Sequence, residues 1–214
     1  HRAAYYLVAR KDSDGDSVWV AMFAGGHNDE SAIQLATVAE RALQTGAVAF
    51  DAELLKKLAA VPKPVLPVEA LEDDNPLLPR YPGSKLRKSS RSEYEPIELP
   101  EGPANAIKPN TIPKLQIVGN STAHFYLVEN VSTLKLYENY RAALLDAGFE
   151  TQFTCRLADC GESEQAQKLG NSVSVEGSVY NYYRNPYYLL ASKDAPEGAL
   201  YVSLFFGGHG DTSA

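Results

Sequence analysis

Basic residues are in short supply in this chain. Its 20 Lys and Arg stand against 27 Asp and Glu, a formal net charge of -7 over 214 residues. A protein that tracks a phosphate backbone needs clustered Lys and Arg, so no nucleic-acid partner is expected. The one basic run, Lys85 to Arg91 ("KLRKSSR"), is short, lies among loop formers and reads as a solvated loop. Long apolar runs are lacking as well. None approaches the roughly 18 residues of a membrane-crossing helix, so no transmembrane segment is expected in the chain. No signal peptide is present, and the chain opens inside a strand-like segment, so His1 reads as a cut end. At 44% hydrophobic and 22% charged residues, the composition excludes wholesale disorder and leaves room for one large domain or two small ones.

Cysteine is nearly absent. The two present, Cys155 and Cys160 in "TCRLADCGE", close a short loop with Gly161 just beyond it. The alternatives are a disulfide, two separate thiols or a metal site, and four dispersed histidines (His1, His27, His124, His209) form no zinc spacing with them. The closeness of the pair favours the disulfide. A loop this small adds about 2 kcal/mol in the chain-entropy model. A structural disulfide implies an oxidising compartment such as the bacterial periplasm.

What the chain does contain is an internal echo. "YYLVARKDSDGDSVWVAMFAGGHN" at Tyr5 to Asn28 aligns without a gap to "YYLLASKDAPEGALYVSLFFGGHG" at Tyr187 to Gly210. Matched residues lie 182 positions apart, and 14 of the 28 between Tyr5 and Ala32 are identical. Duplication of a unit of about that length is the simplest cause. Both copies read as β-hairpins turning at "DSDGD" and "DAPEG". In the second, Leu200, Val202, Leu204 and Phe206 fall on one face, with Tyr201, Ser203 and Phe205 on the other. Both faces are apolar, which points to a sheet covered on both sides or to a protein contact.

Ile33 to Val38 reads as a third strand, and "GAVAFDAELLKKLAA" as a short strand entering a helix capped by Asp51, with Leu54, Leu55 and Leu58 as its stripe. Prolines at 62, 64 and 67 mark an extended linker. Then come a Pro- and Gly-punctuated loop from Asp74 to Ser84, a strand near Tyr94 to Leu99, and a hairpin turning at Gly119-Asn120. The clearest helix is "STLKLYENYRAALLDAG", with Ser132 as N-cap and Gly148 as C-terminal cap. "FETQFTC" follows as a half-buried strand with Phe149, Thr151, Phe153 and Cys155 on one side. The fold class expected is α+β, a mainly antiparallel sheet packed against one principal helix, in tandem copies with the first incomplete. The expected domains are 1–60, the C-terminal part of a first repeat, a Pro-rich linker at 61–73, and a second repeat at 74–214.

Chemistry-bearing motifs are weak. "GGHN" and "GGHG" lack the strand-to-helix context of a phosphate cradle and read as hairpin ends. No G-x-S-x-G elbow accompanies the Ser, His and Asp residues. A cysteine nucleophile beside His124 has no thiolate if the pair is bonded, and "LEDD" (Leu71 to Asp74) lacks the spaced ligands of a calcium loop. No cofactor, metal or catalytic residue is assigned. "VYNYYRNPYYLL" is the most suggestive stretch. Tyr180, Tyr182, Tyr183, Arg184 and Tyr187 are the candidate binding residues, because a tyrosine ring with a polar tip suits sugar or protein contact. The competing reading puts alternate tyrosines in the core.

Three segments, "NPLLPRYPGS", "STLKLYENYRAALLDAGFETQFTCRLADCGE" and "YYLLASKDAPEGALYVSLFFGG", together resemble a domain family of unknown function in Gram-negative bacteria, notably pseudomonads and relatives. There a similar module often precedes a peptidoglycan-binding domain like the C-terminal half of outer-membrane protein A. The resemblance covers roughly Asp74 to Gly208, and Tyr5 to about Ala60 looks like the end of another copy. It implies a periplasmic or outer-membrane-associated location and no catalytic residue. The expected function is a non-catalytic envelope module for protein or glycan contact, with self-association through residues 1–40. A hydrolase acting on envelope material and a structural repeat spacer are the alternatives.

Overall fold

A computed structural model of the chain describes residues 5–13, 16–27, 30–40, 45–53, 55, 74, 75, 77–103, 111–175, 181–195 and 198–214. Two compact units emerge, His1–Gln44 and Thr45–Ala214. In the first, β1 (Tyr5–Ser13), β2 (Asp16–His27) and β3 (Glu30–Glu40) form an antiparallel meander in that order. Its alternating β-branched and aromatic residues favour strands, and the β1–β2 ladder runs to Ser13↔Asp16. No helix of this unit covers either face among the described residues.

The second unit is built on β4 (Lys85–Pro100), β5 (Lys114–Glu129), β6 (Glu150–Arg156), β7 (Arg184–Ala195), β8 (Gly198–His209) and the short β9 (Thr212–Ser213). All pairings are antiparallel, in the order β4-β5-β9-β8-β7-β6. Two helices cover it. Helix α1 (Thr133–Asp146) starts where the Ser132 hydroxyl accepts from the Lys135 N–H at 3.2 Å. It ends in a Schellman turn, with Phe149 N–H donating to Leu144 O and Gly148 N–H to Leu145 O at a Gly148 φ of 77°. Lys193 Nζ donates to Ala147 O at 2.6 Å, a further tie for the last carbonyls. Helix α2 (Ser163–Val173) buries Ala166, Leu169 and Gly170.

Strand alternation sends successive residues of β7 to opposite layers. Tyr187, Leu189 and Ala191 join Phe206 under Leu136, Tyr137, Tyr140, Ala143 and Leu144 of α1. Tyr188 and Leu190 join Leu169 of α2 and the two cysteines, with Phe153, Tyr201 and Phe205 beside them. Ahead of β4, Val48 and Phe50 pack into the α1 layer, Phe50 stacking on Phe149 at 4.9 Å. The "NPLLPRYPGS" loop is clamped there too: Asp74 accepts from the Tyr126 hydroxyl and pairs with Arg80 at 3.1 Å, and Asn75 Oδ1 accepts from Leu77 and Leu78 N–H.

The two hairpins that echo each other in sequence share one register. Nine β1–β2 pairs, from Tyr5↔Ala24 to Ser13↔Asp16, recur 182 positions later from Tyr187↔Phe206 to Ala195↔Gly198. Their surroundings differ. Tyr6, Leu7 and Val8 are 71%, 54% and 47% exposed, whereas their counterparts Tyr188, Leu189 and Leu190 are 0%, 1% and 0% exposed.

The α+β class and the mainly antiparallel sheet hold, but several expected elements differ. A second helix, α2, stands beside the one principal helix expected, because Ala166 and Leu169 suffice to seat a short helix on β8. Lys85–Arg91 is not a loop but the first half of β4, where cations sit on an edge strand. Gly119-Asn120 is not a turn: β5 runs straight through it. The pair stands opposite a bulge between Ser92 and Glu95, where Asn120 Oδ1 accepts from Tyr94 N–H at 2.9 Å and Tyr94 has φ 50°. The expected strand before Asp51 is irregular. After Asp51 the described residues Ala52, Glu53 and Leu55 are helical, as expected, with Leu55 N–H donating to Asp51 O at 2.9 Å, while Leu54 and Leu58 of the expected stripe, and the linker at 61–73, lie outside the described residues.

Candidate functional site

Cys155 pairs with Tyr188 one step before the β6–β7 ladder ends at Arg156↔Tyr187, and Cys160 closes the 3-10 turn Leu157–Cys160 that follows. The two form a disulfide with Cα atoms 5.0 Å apart. The turn it fixes holds Leu157 at φ 50° and delivers the chain to Gly161 at φ 97°. There a Cβ would sit 2.4 Å from Cβ of Gln165, so the chain enters α2 only through glycine.

From the other side comes the start of β7. Arg184 pairs with Gly208, Asn185 turns to φ 47°, and regular pairing resumes at Tyr187↔Phe206. This bulge turns Asn185 and Pro186 off the ladder. Pro186 O lies 3.7 Å from the Cys160 sulfur, which sets the two segments side by side. Between them opens a cleft of about 360 Å³. One wall is Leu157, Ala158, Gly161, Ser163 and Ala166, and the other is Tyr183, Arg184, Asn185 and Pro186. The lining offers an exposed guanidinium, an amide, two hydroxyls and a flat ring beside apolar Leu157 and Pro186. That mixture can hydrogen-bond and stack on a hydroxyl- or carboxylate-bearing ligand. Its described lining contains no histidine, thiol or carboxylate side chain to serve as a general base.

Of the candidate binding residues, Tyr183 and Arg184 meet in this cleft. Tyr182 stands next to it, half-buried, edge-on to Phe125 at 5.8 Å and to His209 at 6.1 Å. Tyr187 is turned into the α1 layer with its ring 5.2 Å from that of Tyr137, and burial raises its pKa. Tyr180 lies outside the described residues. Sequence reasoning misses Asn185, Pro186, Leu157 and Ser163 as lining residues. The Asn-Pro dipeptide is a turn signal that marks the first two, while nothing local marks Leu157.

Other polar clusters serve the fold. Arg156 lies 4.8 Å over the Tyr137 ring and 3.1 Å from Glu138, which also holds Arg141 at 3.3 Å. The Tyr137 hydroxyl contact, then the nearby anion, raise the Arg156 pKa. Tyr137 Oη contacts Thr154 Oγ1, which donates to Tyr188 O, so α1, β6 and β7 are stitched in one chain. Burial raises the pKa of Tyr126, Tyr140 and Tyr188 well above the ordinary value of 10.0, and Asp74 adds to the effect at Tyr126. His124 stacks on Tyr126 and His209 sits at the exposed end of β8. Both cysteines are bonded, so neither offers a thiolate. Among the described residues, no group of three or more His, Cys, Asp or Glu could hold a metal ion, and no helix is long and apolar enough to cross a membrane.

Set against known proteins, the chain matches no protein-family model and no curated protein.

Proposed function

We propose that this chain is a non-catalytic module of the bacterial envelope, periplasmic or outer-membrane-associated, that contacts glycan or protein through the Tyr183–Arg184 cleft. The cleft itself carries the reading: it brings a tyrosine ring, a guanidinium and an amide together against a loop stapled by the disulfide. A buried disulfide fits an oxidising compartment, and the sequence resemblance favours the same location. We also read residues 5–40 as the end of an earlier copy of the second unit, supported by the 14 identities in 28 residues and the shared pairing register.

Isolated cell-wall glycan and a detergent-free envelope protein fraction are the two ligands to test. Arg184→Ala and Tyr183→Ala each remove an interaction the cleft supplies, and each should weaken binding about tenfold, or about 1.4 kcal/mol. Both positions are solvent-accessible in the cleft, so the circular dichroism spectrum should not change. Parental binding by both variants to whichever ligand the parent retains would reject the cleft as the contact surface.

A further inference from the structure

The two meanders differ at their third strand. In the first unit β3 follows β2 from His27↔Glu30 to Ser17↔Glu40. In the second, β9 meets β8 only at His209↔Thr212 and Gly208↔Ser213, and Ala214 exchanges two backbone hydrogen bonds with Gly207. These contacts repeat the β2–β3 register 182 positions on. Beyond them, β8 from Gly198 to Phe206 has β7 on one side and no strand on the other among the described residues.

The Gly207–Ala214 pair also fixes which groups face that open side. Backbone polar groups alternate in direction along a strand, so the N–H and C=O of Ala199, Tyr201, Ser203 and Phe205 point away from β7. Such a row is a template for another strand. Natural edges are usually blunted by charge or proline, and β4 follows that rule with Lys85, Arg87, Lys88, Arg91, Glu93, Glu95 and Pro96. "GALYVSLFF", at 198–206, contains neither.

We propose that this edge of β8 is a strand-acceptor site and that its occupant is β3 of a second copy of the chain. The fit of β3 can be read directly. Asp29-Glu30-Ser31-Ala32 matches Asp211-Thr212-Ser213-Ala214 at three of four positions. The next eight residues of β3, Ile33 to Glu40, pair with Ala24 to Ser17, the counterparts of Phe206 to Ala199. In the same register Leu35 and Thr37 come opposite Leu204 and Val202, on the face that α1 covers. Gln34 and Ala36 come opposite Phe205 and Ser203. Leu35 is exposed in its own unit, so the exchange moves an apolar side chain towards a covered layer.

The test uses the full chain, concentrated alone and, separately, mixed with a synthetic peptide of residues 33–40. Light scattering should show monomer passing to dimer as concentration rises. Saturating peptide should slow hydrogen exchange at the Tyr201, Ser203 and Phe205 amides by about tenfold or more. Ser203→Pro removes an edge-facing N–H while leaving the bonds to β7, and should abolish both effects. Ser203 Oγ also lies 3.0 Å from the Tyr188 hydroxyl, so Ser203→Ala, which keeps the edge N–H, should retain both. A chain monomeric at every concentration overturns the second copy as occupant. Amides that stay unprotected with peptide overturn the acceptor edge, and this measurement on the parent decides even if Ser203→Pro does not fold.

Discussion

A methyl group added at Gly207 would lie 2.1 Å from the carbonyl oxygen of Tyr182. That contact is with backbone, which cannot rotate away, so Gly207→Ala should cost about 2 kcal/mol or more in a urea unfolding experiment. An unchanged midpoint would show that the Asn181–Tyr183 segment shifts freely. In the sequence, "GGHG" suggests a hairpin end that needs glycine conformations. The requirement at Gly207 turns out to be close approach by a segment 25 residues earlier, which no local pattern reveals. The tyrosines carry the same lesson. Tyr183 lines a cleft and Tyr188 is sealed in the core with its hydroxyl on Pro100 O at 2.9 Å. Ring chemistry is identical in the two settings, so only the layers above and below β7 separate a contact residue from a core residue.

Local signals made some elements legible and left others hidden. Helix α1 announces itself through Ser132 and Gly148, whose capping bonds are both present. Even so, its outer leucines Leu134 and Leu145 stay exposed, so the broad apolar surface in the sequence is wider than the buried stripe. Helix α2 carries a regular but short stripe, Ala166, Leu169 and Val173 at i, i+3 and i+7, too few apolar residues to stand out among the polar ones around them. Strand β6 reads as one alternating face, yet a bulge between Thr151 and Phe153 puts Phe149 in the α1 layer and Phe153 and Cys155 in the other. Bulges and long partners such as β4 and β5 depend on what lies across the sheet. The Cys155–Cys160 loop was legible because spacing alone limits its chemistry. Reducing that bond should lower the unfolding free energy by about 2 kcal/mol, read as a shift in the urea midpoint with and without reductant. No shift would mean that the buried layer around Leu169 and Tyr188 holds the turn unaided.

At the scale of the whole molecule, burial of tyrosine sets an upper pH limit. Tyr126, Tyr140 and Tyr188 have pKa values raised above 10.0 in the folded chain, chiefly by burial. Above pH 10 the unfolded chain releases these phenolic protons while the folded chain retains them, so unfolding is progressively favoured. Their contribution is complete below pH 10 and lost as pH rises beyond it. The thermal midpoint should therefore fall steeply above about pH 10, together with the appearance of tyrosinate absorbance. Ionisation of all 13 tyrosines without any loss of the fold would contradict that burial.

The common register of the two hairpins bears on how such a chain reaches its native state. A strand such as β1 meets two near-equivalent mates, β2 and β8, with the same residue pattern opposite it, so side-chain complementarity alone discriminates poorly between them. Proximity along the chain does the sorting. Bringing together strands two residues apart in the chain is favoured over closing a segment of roughly 180 residues by on the order of 4 kcal/mol. Synthesis order reinforces the choice, because β1 and β2 emerge and zip together long before β8 exists. Fidelity here is a matter of timing and tether length, and a chain refolded all at once from denaturant gives up the first of those safeguards.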